Sequence, residues 1–285
     1  MAIYERGYRR YSGPLTADST RLFILSRYAW RGLFRSRLLT AFFVLCFFYP
    51  IGAAVALYLN HSAAAITALH LSSVLFDVDG FFFFLFICIQ GGLAFFLATF
   101  VGPGLVSPDI VNGALPLYFS RLSSRAAYVI GKMAALIGLL SLITWVPGLL
   151  LFAIEASLEG MSWATRNLWI ARGILLGGMV WIFTLCLVAL AFSAWMKRKI
   201  TAAGLMLAIF GMGGGFGQAI DAILHTNQGA LVDIGRLMAV VLCGLFRVES
   251  KIDFPATEAW LGLLAVCACC LALLAKKLKA VEVVK

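Results

Sequence analysis

A chain of 285 residues that is 62% hydrophobic and only 13% charged, with a mean hydropathy of +0.98, is too apolar for a soluble domain, which runs about 45–50% apolar and about 25% charged. The composition reads as an all-α polytopic membrane protein, since a helix closes its own backbone hydrogen bonds in lipid. The net charge of +10 is no sign of nucleic acid, because the basic residues stand beside apolar runs where membrane lipid and topology account for them.

The leader, residues 1–37, opens on a basic, aromatic stretch interrupted by Gly7, Gly13 and Pro14, which disfavours regular structure. No cleavable signal peptide is expected, because mixed sequence precedes the first apolar run. Thr20–Phe34 reads as an amphipathic interfacial helix. Arg27, Arg31 and Arg35 recur every fourth residue and form one basic stripe, with Leu22, Leu25, Ala29, Trp30 and Leu33 opposite.

Six spans then follow within residues 38–275, each near the roughly 20 residues a bilayer core requires. They are Leu38–Tyr58, with a kink expected at Pro50; Gly80–Val106; Val129–Ile154, interrupted by Pro147; Leu168–Phe192; Ile200–Leu224; and Glu258–Ala275. Residues 276–285 form a basic tail. Leu237–Phe246 is too short to cross and reads as an outer interfacial or re-entrant helix, with Ala63–Phe76 a weaker case. Eighteen of the 23 lysines and arginines fall on the side holding both termini, which places the termini in the cytosol.

The segment Gly102–Lys132 is the most structured connection. Ser107-Pro108-Asp109 reads as a helix start with serine as its cap. An apolar island, Leu115, Leu117, Tyr118 and Phe119, precedes Arg121 and Arg125. Such an island either docks into a groove on a soluble partner or anchors the loop in the lipid interface.

Elsewhere there is little chemistry to read. No span carries an ionisable residue near its middle, which counts against a self-powered carrier. Six of the seven cysteines lie in apolar runs, and His61, His70 and His225 fall in separate outer loops, so neither a disulfide framework nor a metal site is expected. Gly211, Gly213, Gly215 and Gly217 form two small-xxx-small pairs suited to close helix packing. No phosphate-binding G-x-x-x-x-G-K-[ST] motif occurs. Gln90, Thr99, Ser141 and Thr144 are polar residues that can line a dimer interface.

Asp109 through Lys132 (DIVNGALPLYFSRLSSRAAYVIGK) resembles the cytosolic loop of type-2 ATP-binding-cassette (ABC) transporter permeases. That pattern has an acidic residue near the end of the second span, a Gly-Ala/Thr-Leu step, a Ser-Arg-Pro-x-Ser-Arg core and a Gly-Lys opening the third span. Here Leu122 stands where the family carries proline. The N-terminal YERGYRRYSGP is similar to the leader of bacterial members. The resemblance implies an exporter permease of the bacterial cytoplasmic membrane. It would pair with a second permease copy or a related permease and with two cytosolic ATP-binding subunits. Those subunits would hold the ATP and Mg, and this chain would bind no cofactor. Coupling to the ATPase would fall on Asp109, Leu115, Leu117, Tyr118, Phe119, Arg121 and Arg125. Other readings are a membrane-embedded scaffold or enzyme without transport, and a secondary carrier.

Overall fold

The computed structural model describes residues 18–34, 36–62, 77–114, 125–225, 228–250 and 252–282. Every regular element among them is helical. Six stretches are long and apolar enough to cross a membrane: Arg37–His61, Gly80–Val111, Ala126–Glu159, Leu168–Trp195, Lys199–Leu224 and Ala256–Lys277. Each contains one span read from the sequence. The chain is an all-α, multi-pass membrane protein.

Three spans are broken, and proline chemistry accounts for two of the breaks. The first divides into Arg37–Leu45 and Phe48–His61. Pro50 has no N–H for the Cys46 carbonyl four residues back, and its ring crowds that turn. The freed carbonyl accepts instead from Gln90 Nε2 of the second span, at 3.1 Å. The third divides into Arg125–Ser141 and Trp145–Glu159. Pro147 does to Ile143 what Pro50 does to Cys46, and the Thr144 hydroxyl bonds back to the Leu140 carbonyl at 2.8 Å. The kinks therefore lie about one turn before the prolines.

The second span parts at Gly102 into Gly80–Val101 and Pro103–Val111. Here the expected helix start moves. Pro103, not Pro108, occupies the first turn, and Ser107 lies inside the helix rather than capping it. Its hydroxyl donates to the Met196 and Lys197 carbonyls, both at 2.9 Å, at the end of the fourth span. The Met196 carbonyl needs such a partner because it caps the helix.

The fourth span, Leu168–Trp195, is the hub. Within its most apolar window 72% of the residues are buried, against 17% in the first span and 22% in the fifth and sixth. Those three outer spans therefore present most of their apolar surface to lipid or to another chain. Glycine makes the hub possible. A Cβ on Gly177 would stand 2.6 Å from Leu242 Cδ2, and one on Gly178 would stand 2.8 Å from Trp145 Cβ.

The short helix Ile234–Phe246 is inserted into the bundle. Leu237, Met238, Val241 and Phe246 are buried, and the helix packs on the second, fourth and sixth spans. Its first turn, at Gly235, shares a cavity of about 200 Å³ with Gly91 and Trp181 near the middle of the second and fourth spans. Of the two sequence readings, the re-entrant one describes this placement. Ala63–Phe76 lies outside the described residues.

Candidate functional site

The helix Pro103–Val111 ends in a glycine turn. Gly113 has φ +64°, a conformation open to glycine without penalty. The Gly113 N–H donates to Ile110 O at 3.2 Å and the Ala114 N–H to Asp109 O at 2.9 Å. These two bonds satisfy the last helical carbonyls and turn the chain out of the helix. Leu115, Leu117, Tyr118, Phe119 and Arg121, the expected coupling residues, then lie outside the described residues. Arg125 begins the third-span helix.

The two flanks of that segment are joined. Lys132 Nζ lies 2.8 Å from Asp109 Oδ2, and the Tyr128 hydroxyl donates to the same oxygen at 2.7 Å. The Lys132 side chain is 10% exposed and that of Asp109 17%. A carboxylate so far from water requires compensation, and here it receives a cation and a phenol together. An ion pair in such a place acts more as a register pin than as a large source of stability. Asp109 and Lys132 both belong to the family-like motif, and the structure brings them together.

The same region is tied to the hub through Ser193. Its hydroxyl accepts from the Val106 and Ser107 N–H groups at 3.1 and 2.9 Å and donates to the Pro103 carbonyl at 2.8 Å. One buried hydroxyl thus completes a turn that the kink at Gly102 leaves open.

The N-terminal helix, Asp18–Leu33, seats on the start of the third span. Ser26 Oγ donates to Gly131 O at 2.9 Å and Trp30 Nε1 to Ala135 O at 2.8 Å. Both pairs advance by four residues, so the two helices run alongside each other for a turn. A Cβ on Gly138 would stand 3.0 Å from Trp30 Cζ2, so the absent side chain makes room for the indole. Arg27 and Arg31 are exposed, and Arg35 lies outside the described residues.

At the far end, the glycine run of the fifth span has two unlike faces. A Cβ on Gly213 would meet Val232 O at 3.2 Å, and one on Gly217 would meet Gly229 O at 2.6 Å, whereas Gly211 and Gly215 face nothing within 4 Å. Gly213 and Gly217 admit the backbone of the short 3₁₀ turn Gln228–Val232 that leads into the inserted helix. Asp221 accepts from Gly229 N at 2.7 Å and from Arg236 Nη1 at 2.9 Å. Asp233 caps the inserted helix, accepting from Gly235 N at 2.9 Å and Arg236 N at 3.2 Å.

Sequence reasoning found no charge near the middle of a span and missed this device, which delivers charge to mid-depth from outside the spans. The signal was present in Asp233-Ile-Gly-Arg, a helix cap ahead of an apolar run. It also missed a pairing where the end of span one meets the end of span three. His61, read as an isolated loop residue, closes the first span beside Glu155 and Glu159.

An apolar cleft of about 620 Å³ opens between the third and sixth spans, lined by Val129, Ile130, Met133, Phe183 and Leu274 among others. Gln90, Thr99, Ser141 and Thr144, the residues expected to be able to line a dimer interface, are buried inside the chain and are not among the cleft's walls. Thr99 and Thr144 donate to carbonyls of their own helices, and Gln90 to Cys46. No family model matches this chain, and comparison with curated proteins finds no match either.

Proposed function

We propose that this chain is the membrane-spanning permease subunit of an ABC exporter, seated in a bacterial cytoplasmic membrane with both termini in the cytosol. The observation that carries the reading is the closure of the family-like segment by Asp109, Tyr128 and Lys132. A segment that takes force from a soluble subunit has to pass it to the spans through stiff attachments rather than through a slack loop. This one is held to the third span by the ion pair, to the fourth by Ser107 and Ser193, and lies beside the N-terminal helix seated on Gly131 and Ala135.

In this reading ATP and Mg²⁺ bind the partner subunits, and this chain carries no catalytic residue. Closure of the ATPase dimer pushes on the segment between spans two and three, and the bundle switches between inward- and outward-facing packing. A second permease, identical or related, completes the path. The apolar cleft between the third and sixth spans supports amphiphilic cargo, since its volume lies in the range of small-molecule sites.

A self-powered secondary carrier is the second reading. The inserted helix favours it, since a broken element bringing Asp233 and Arg236 to mid-depth is how such carriers build ion sites.

Purification of the tagged chain from its native membrane in mild detergent separates the two. A stoichiometric ATP-binding subunit is expected. Tyr118→Ala and Phe119→Ala should each weaken its retention by about 2 kcal/mol or more, and Arg121→Glu should slow its capture. The variants should insert normally, and cysteines at Ser123 and Lys279 should react from the cytosol, one at Asn60 from outside. An ATP-driven reading does not survive if no ATPase accompanies the wild type.

A further inference from the structure

We propose that His61, Glu155 and Glu159 form a binding site for a divalent first-row transition metal of the zinc type, joining the outer ends of the first and third spans. Glu155 and Glu159 are four residues apart and share one helix face. His61 is the last residue of its helix, packed against that face. His61 Nε2 lies 2.9 Å from Glu159 Oε1 and 3.6 Å from Glu155 Oε1. One ligand atom from each residue falls within 4.8 Å of the others. Around a tetrahedral zinc with bonds of roughly 2.0–2.2 Å, ligand atoms stand about 3.4 Å apart, so little movement is needed.

The ring orientation is decisive. His61 Nδ1 lies 3.0 Å from the Leu57 carbonyl. A carbonyl only accepts, so Nδ1 carries the hydrogen. In the neutral ring this turns the Nε2 lone pair toward two carboxylates; at 2.9 Å from Glu159 Oε1 the nitrogen needs a cation shared with them, either a proton on Nε2 or a metal ion. Metal-bound histidines are commonly fixed by this kind of bond from the second nitrogen to a backbone carbonyl.

The second observation is Glu155 itself. Its side chain is 2% exposed, and its Oε2 is buried with no hydrogen-bond partner among the described residues. A proton on Nε2 would bridge to Glu159 and leave Glu155 short of compensation. A divalent ion cancels both carboxylates and leaves the imidazole neutral. One nitrogen and carboxylate oxygens without thiolate fit zinc and its neighbours better than magnesium or calcium, which take oxygen ligands. The Glu159 side chain is 47% exposed, so ions enter from that side and the fourth position is open to water. The site is independent of the transporter reading.

The test uses the full-length protein in detergent, stripped with EDTA and titrated with Zn²⁺ against a chromophoric competitor. One zinc per chain is expected, with a rise in unfolding temperature. His61→Ala and Glu155→Gln should each weaken binding by at least the about 10- to 100-fold that even outer-shell partners carry. Ser157→Ala, exposed on the same helix, should leave it unchanged. If Glu155→Gln fails to fold, His61→Ala and Glu159→Gln carry the same comparison. A wild type that holds far less than one zinc overturns the proposal, and so do variants that bind as tightly as wild type. A proton alone then links His61 to the carboxylates.

Discussion

The two ends of the bundle handle buried charge in opposite ways. At the end holding the N-terminal helix, Asp109 receives a lysine and a phenol, and the polar groups around it are paired: Ser26, Trp30, Ser107 and Ser193 each meet a backbone partner. At the opposite end two glutamates face one imidazole, and one buried oxygen is left over. The first arrangement is complete as the chain folds; the second carries a charge deficit that a ligand can fill. A buried group without compensation persists only where the surrounding packing or a bound partner maintains it, so the contrast separates a structural fastening from a binding centre.

The comparison can be broken most forcibly at the paired end. Lys132→Met strands Asp109, and the loss of thermal stability in detergent should be about 3 kcal/mol, the low side of the range for half-broken buried pairs because Asp109 keeps some exposure. Adding Asp109→Leu should restore part of it, since no orphan charge then remains. A loss no smaller in the double variant would deny that the pair is coupled.

Backbone contact at the far end gives the next effect. Gly217→Ala forces its methyl against the Gly229 carbonyl and should cost about 1–3 kcal/mol. Gly211→Ala, on the open face, should instead add a few tenths of a kcal/mol through helix propensity, up to about 1. Equal melting shifts in the two variants would mean that the faces of this helix are not distinct.

The smallest shift is expected at the deficit itself. In chelator, Glu155→Gln should lie within about 1 kcal/mol of wild type, because the change removes a charge that lacks full compensation. Zinc at about 100 times the wild-type dissociation constant should then stabilise the wild type by about 2.7 kcal/mol and the weaker-binding variant by about 1.4 kcal/mol or less. A large loss for Glu155→Gln in chelator would place the two ends on the same footing.

The spans were legible because a run of about 20 apolar residues has few other fates, and Pro50 and Pro147 announced the breaks within a turn. What escaped reading shares one cause. Ser107 looked like a local cap because serine before proline is a local pattern, yet its partners are 89 and 90 residues away. His61 looked solitary because Glu159 lies 98 residues further on. Asp109 and Lys132 were visible one by one in the motif, and only the third dimension shows that they touch. The inserted helix was legible as too short to cross, while its depth depends on Gly213 and Gly217 making room for it.

The Ser193 hydroxyl also has a consequence for how the protein is made. Spans enter the membrane in order, and Ser193 is synthesised 90 residues after Pro103. At about 5–20 residues per second, the turn at Gly102 waits on the order of 5–20 seconds for the group that completes it. Through that interval the Val106 and Ser107 N–H groups and the Pro103 carbonyl lack their final partner, a state that lipid penalises and interfacial water does not. Water in the headgroup layer can serve these groups in the meantime, so the turn is expected to stay near that layer until the fourth span arrives. The fourth span thus both fills the centre of the finished bundle and supplies the group that completes the second.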